Sequence, residues 1–141
     1  LANIELGGDL WMLASGTGVA PFISILRDPH TYTSFDTIHL AWSVRRRVDL
    51  NAYNNFIESM PVDFMPIVTQ DPEWTGMNKR ITTQLSAGTL IPNLHANNKV
   101  MICGSMEFNT DIKTMLKDWG WTEGNKRTAG TFVQEKAYVE R

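Results

Sequence analysis

The segment Ser15-Gly16-Thr17-Gly18-Val19-Ala20-Pro21-Phe22 joins an apolar run to a stretch of helical periodicity. Two glycines let a backbone bend tightly and come close to a ligand, and a helix start presents unpaired N–H groups and the positive end of the dipole. Those are the requirements of an anion site, and a pyrophosphate fits one. Pro21 is compatible, because the first helical turn has no acceptor for the N–H that proline lacks. A tight turn with no ligand would have the same spacing, and the third glycine of the usual dinucleotide fingerprint is absent.

Arg45-Arg46-Arg47 is the one dense basic run. It follows an apolar run of strand length, where doubly wound sheets place the ribose end of a nucleotide. An arginine there accepts a 2′-phosphate through charge-assisted hydrogen bonds, whereas an acid would prefer the free 2′-hydroxyl. Asp49 is the only nearby acid, and Arg80, beyond a long polar stretch, can return to the same pocket. NADP is therefore favoured over NAD. A solvated basic turn facing water is the plainer alternative.

Cys103-Gly104-Ser105 repeats the order of strand end, glycine and helix start. That puts the single thiol at the carboxyl rim of the sheet, where ligands bind, although most free cysteines are inert, small core residues. His30, His39 and His95 lack metal-ligand spacing and form no nucleophile motif with a serine or the cysteine; they receive no role. Asp71, Glu73, Asp111 and Glu123 read as solvated charge in loops or on helix surfaces. Trp119, Trp121 and the methionines read as core or helix-end packing. Tyr138 differs, since an aromatic near a chain end needs a reason to be ordered.

These residues must be carried by elements, and the apolar pattern supplies them. Runs of strand length at 10–14, 37–44, 64–69, 99–103 and 131–139 alternate with helical periodicity. Val19, Phe22, Ile23 and Leu26 share a face of a helix that stops before Pro29. Leu50, Tyr53, Phe56 and Ile57 share another. A loop over 70–78 precedes a short helix at about 80–87, and Phe108, Ile112, Met115, Leu116 and Trp119 lie along a last helix closed by Gly120. Pro66 marks the third strand as irregular or at an edge. The pattern predicts an α/β fold, three-layer and doubly wound, around a mostly parallel five-stranded sheet.

The 141 residues suit one domain with one core. Hydrophobic residues at 43% and charged residues at 20% exclude disordered, collagen and coiled-coil classes. A net charge of -2 leaves no general field for nucleic acid or anionic lipid, so any anion site must be local. One cysteine rules out an internal disulfide and a multi-thiolate metal site and suits the cytoplasm. Neither a membrane span nor a signal peptide is apparent.

Taken together, the segments resemble the NADP-binding half of bacterial-type ferredoxin-NADP reductases. The resemblance runs through the glycine segment 13–22, Ser43-Val44-Arg45 with Asp49-Leu50-Asn51-Ala52-Tyr53, Val68-Thr69, Arg80-Ile81, Met101-Ile102-Cys103-Gly104-Ser105-Met106 and 132–139. The ordered set is far more specific than any member.

The resemblance implies that Gly16, Thr17 and Gly18 lie against the NADP pyrophosphate and that Arg45 and Arg80 hold the 2′-phosphate. Cys103 would stand beside the nicotinamide, packing near the reacting carbon without competing for a proton. Ala137 would lie near the flavin ring and Tyr138 would stack on FAD, the tail acting as a gate. The expected cofactor-binding set is Ser15, Gly16, Thr17, Gly18, Pro21, Arg45, Arg46, Arg80, Gly104, Ser105 and Tyr138, with Cys103 and Ala137 at the reacting centre and no metal site.

The implied chemistry is hydride transfer from NADPH to FAD, then single-electron delivery to ferredoxin or flavodoxin by a monomer. Residues 1–141 would form the NADP-binding domain, with 1–8 a linker from an FAD-binding barrel that the sequence lacks. Gln70 stands where the family often has arginine, removing one possible cation from the 2′-phosphate pocket. Two alternatives are an NADH-dependent reductase portion of an oxygenase or flavohaemoglobin, and a non-catalytic nucleotide-binding module.

Overall fold

In the computed structural model, which describes residues 1–94 and 96–136, the apolar runs pair as parallel strands. They are β1 (Asp9–Ser15), β2 (Thr37–Val44), β3 (Asp63–Val68), β4 (Asn98–Cys103) and β5 (Phe132–Gln134). Their order is β3-β2-β1-β4-β5 and every pairing is parallel. The chain builds outward from β1 to β3, then crosses to β4 on the other side of β1. The crevice beyond the carboxyl ends of β1 and β4 is therefore a topological switch point, the place where open α/β sheets bind ligands.

Strand periodicity sends alternate side chains to opposite faces, and both faces are buried. Leu10, Met12 and Ala14 of β1 and Met101 and Cys103 of β4 join one core with Phe22, Ile23 and Leu26 of α1 (Ala20–Arg27). α2 (Pro29–Ser34) and α3 (Asn54–Glu58) follow in the chain. Trp11 and Leu13, with Val100 and Ile102, join the opposite core with Ile81 and Leu85 of α4 (Ile81–Ala87) and Ile112 and Leu116 of α5 (Met106–Asp118). Fully burying one such leucine or phenylalanine contributes about 1.5–3 kcal/mol. Alternating burial on two faces is what makes the domain three layers.

Several boundaries differ from the expectation. The first helix begins as a 3-10 turn over Gly16–Val19 before α1. α2 was not legible in the pattern; Asp28 starts it by accepting the His30 backbone N–H at 3.0 Å, with Pro29 in the first turn. The helix expected around residues 50–57 is split into a 3-10 turn, Arg47–Ala52, and α3. Pro66 lies on an edge strand, where a missing N–H costs no ladder bond on the open side. β5 is shorter than expected because it pairs only over Phe132–Gln134; residues 137–139 lie outside the described residues. Trp119 lies one residue past α5 and is 37% exposed, and Met106 is exposed at the first position of α5, so neither is core.

Residues 4–8, expected as part of a linker, lie along the domain. Ile4 is buried and bridges Gly130, Gly7 donates its N–H to the Ser34 carbonyl at 2.8 Å, and Lys99 Nζ donates to the Gly7 carbonyl at 3.0 Å. At the amino ends of the strands, His39 sits between two carboxylates. Its Nε2 is 2.9 Å from Asp9 and its Nδ1 2.8 Å from Asp63, and the ring stacks on Trp11 at 3.8 Å. This clasp ties β1, β2 and β3 together at the edge away from the crevice.

Candidate functional site

At the switch point lies a cleft of about 980 Å³. Its lining includes the turn from Ser15 to Val19, Trp42, Ser43 and Val44 at the end of β2, and Gly104, Ser105 and Phe108 after β4. The volume is of the order that holds a large small-molecule ligand, whose pockets run about 300–1,000 Å³.

The two glycines of the turn do different jobs. Gly16 has φ +55 and open space around it, so it is needed for a backbone conformation that side chains disfavour. Gly18 is buried, and a Cβ there would overlap the Cys103 carbonyl and come within 2.8 Å of Gly104 Cα. Its smallness brings the turn against the end of β4. The Ser105 backbone N–H donates to Ser15 Oγ at 3.4 Å, linking the two rims again. Ser105 Oγ caps α5 by accepting the Phe108 N–H at 3.1 Å. The turn's exposed residues, Gly16 and Thr17, face the cleft.

Arg45 and Arg80 line the same cleft although they come from different elements. Arg45 follows β2, and Arg80 is the residue that precedes α4. The loop between them in space docks on β2: Thr69 donates its N–H to the Val44 carbonyl at 3.0 Å and Gln70 to the Arg45 carbonyl at 2.8 Å. Gln70 is itself part of the lining. Two cations in one lining suit a phosphate, while Asp49, and Glu107 and Asp111 of α5, bring negative charge to the same lining.

Arg46 and Pro21 are not among the lining residues. Arg46 donates its backbone N–H to the Asp49 carboxylate at 3.2 Å, shaping the turn. Arg47 is directed to the loop after β3, with Nη2 2.6 Å from Glu73 and its backbone N–H donating to Asp71 at 3.1 Å. The N–H groups of Arg47 and Glu73 hold the Asp71 carboxyl below its usual value. Asp71 and Glu73 thus order the loop rather than merely face water.

Cys103 is fully buried on the α1 face and does not line the cleft. Burial pushes its thiol up to about 11, with the Glu135 charge adding to the effect. A thiol so placed is neutral near pH 7 and serves as a small packing group, not a nucleophile. Among the described residues no group of His, Cys, Asp and Glu could hold a metal ion, and no helix is long and apolar enough to cross a membrane. Ala137 and Tyr138, assigned to the flavin side, and His95 lie outside the described residues.

Trp42, Tyr53 and Thr82 also line the cleft and were missed. Trp42 shares strand parity with Leu40 and Val44 and so reads as core. The available signal was its indole N–H, which requires a partner when buried. Tyr53 reads as part of a helix face until the helix proves to be split there.

Residues 12–114 match the family model of the oxidoreductase NAD-binding domain. The chain is 33% identical to ferredoxin--NADP reductase A of Sorangium cellulosum (strain So ce56), the match covering 99% of this chain and 56% of the relative. It is 32% identical to the flavodoxin/ferredoxin--NADP reductase of Rhodobacter capsulatus, over 94% of this chain and 55% of the relative. A crystal structure of a ferredoxin NADP+ reductase from Neisseria gonorrhoeae with bound FAD and NADP superposes with a TM-score of 0.85 and 30% identity, over 96% of this chain and 58% of that one. The chain spans little more than half the length of these relatives.

Proposed function

The chain belongs to the oxidoreductase NAD-binding domain family, and from that premise we propose that it is the NADP(H)-binding domain of a ferredoxin- or flavodoxin-NADP reductase. In this reading residues 1–141 are the nucleotide domain, with 1–8 leading from an FAD-binding domain of the same polypeptide. The whole enzyme passes hydride between NADPH and FAD, exchanges electrons with ferredoxin or flavodoxin, and acts as a cytoplasmic monomer. The carrying observation is that Arg45 and Arg80 line one cleft with the Gly16–Gly18 bend. Relatives named as NADP reductases support it.

Each residue then has a physical task. Thr17 and its flanking glycines let the backbone approach the diphosphate, and the start of α1 favours its charge. Arg45 and Arg80 donate charge-assisted hydrogen bonds to the 2′-phosphate. Ser105 and Gly104 border the nicotinamide end, and Cys103 packs beneath it without exchanging a proton. The flavin, when bound, supplies the conversion of a two-electron hydride into single-electron steps. The protein's own contribution is to hold the nucleotide in line with it. The roles given to Ala137 and Tyr138 belong to the same proposal.

The test is titration of the chain with NADPH and NADH, repeated for Arg45→Ala, Arg80→Ala and Arg47→Ala. NADPH is expected to bind more tightly, and either of the first two variants to lose about 1.5–3 kcal/mol for NADPH alone. Arg47→Ala, whose side chain is paired to Glu73, should leave both affinities unchanged. Equal affinity for the two nucleotides in the wild type would overturn the NADP assignment and favour an NADH-using reductase module. Flavin binding by this chain is expected to be weak, and a stoichiometric flavin would overturn the division of labour.

A further inference from the structure

The geometry points to Trp42 as the residue that positions the diphosphate-binding turn, an inference that rests on the nucleotide reading above. Trp42 is 2% exposed on β2, in register with Ala14 of β1. Its Nε1–H donates to the Gly16 carbonyl at 2.8 Å. A buried indole N–H left unpaired is costly, so this bond is strongly favoured once the ring is in place. It reaches from one strand to the residue at which the neighbouring strand turns.

Gly16 opens the 3-10 segment of the turn and carries its positive φ. Its φ is +55, nothing lies within 4 Å of where a Cβ would stand, and glycine restricts its own backbone less than any other residue. The indole adds a restraint on its carbonyl from outside the turn. The peptide joining Gly16 to Thr17 is planar and trans, so an acceptor bond that fixes the carbonyl also fixes the Thr17 N–H in the opposite direction. Tyr53 lies against the indole, ring centroids 6.1 Å apart and planes inclined at 57°, and limits its rotation. Trp42, Gly16, Thr17 and Tyr53 all border the cleft. Trp42 therefore acts through the turn and is selective: it matters to ligands carrying the diphosphate and not to those held at the ribose 2′-phosphate alone.

The experiment compares NADP+ with adenosine 2′-monophosphate by calorimetric titration of the 141-residue chain and its variants. Trp42→Phe keeps an aromatic ring and removes the N–H; it should weaken NADP+ about fivefold, the size of one net hydrogen bond, and leave adenosine 2′-monophosphate unchanged. Trp42→His places Nε2 at the ring position of the indole Nε1, and should recover NADP+ affinity relative to Trp42→Phe even if its smaller ring lowers the melting temperature. A merely structural role would weaken both ligands together and would show no recovery with histidine; either result overturns the inference, as does unchanged NADP+ binding by Trp42→Phe. Failure of the wild-type chain to bind NADP+ would instead overturn the nucleotide reading itself, and the role of Trp42 with it.

Discussion

Gly18 and the Cys103 carbonyl leave no room for a side chain between them: a Cβ on Gly18 would overlap that oxygen and lie 2.6 Å from its carbon. The turn after β1 and the end of β4 are thus in backbone contact, and the position of one rim of the cleft sets the position of the other. Gly16, two residues earlier, has no such neighbour and is glycine because of its positive φ.

Alanine at these two positions should separate the two causes. Gly16→Ala is expected to cost about 1–2 kcal/mol, the penalty of a left-handed backbone. Gly18→Ala must move backbone against backbone and should cost about 3 kcal/mol, the upper part of the range for overpacking. Urea unfolding followed by circular dichroism reads both, and a Gly18→Ala as stable as wild type would show that the close approach is not required.

The Cys103 thiol should be silent in the folded protein. Iodoacetamide at pH 8 is expected to leave it unmodified until urea unfolds the chain, because access and thiolate are both lacking. The linkage has a definite sign. Burial raises the folded value to about 11 from 9.0, so stability from this group is fully present below 9.0 and is lost as pH rises toward about 11. Cys103→Ala should remove that alkaline dependence, and rapid labelling of the native protein would contradict the burial.

Glu123 offers the opposite sign. Burial alone would raise its pKa, but hydrogen bonds from Lys113 and Lys117, each 3.1 Å away, outweigh burial and lower it. Its contribution is present above the ordinary value of 4.5 and is lost as pH falls through the lower folded value. Glu123→Gln should therefore destabilise by about 1 kcal/mol at pH 7, and the difference should shrink in acid. Parallel urea midpoints for wild type and variant from pH 7 to pH 3 give the comparison; a difference independent of pH would place its origin in packing.

Much of this molecule was legible before any coordinate. Strand-length apolar runs divided by glycine turns and amphipathic segments allow few arrangements besides a doubly wound sheet, because each run must be buried on both faces. Val19, Phe22, Ile23 and Leu26, at helical spacing, indicated the face that α1 lays on that sheet. The bend at Gly16 to Gly18, the edge position of Pro66 and the helix start at Ser105 follow from backbone constraints that single residue types impose locally.

What sequence could not supply was direction. Three consecutive arginines have the same chemistry, yet Arg45 borders the cleft, Arg46 contributes a backbone N–H to the turn and Arg47 is directed to Glu73. Trp42 has the parity of a core residue but reaches Gly16, and Gly18, which lines the cleft as its place in the turn suggests, also abuts β4. Local sequence determined the elements because hydrophobic period and backbone sterics act over a few residues. Which side chains meet in the cleft was decided by tertiary structure, since that depends on strand order and on loops whose course is set by hydrogen bonds between segments far apart in the chain.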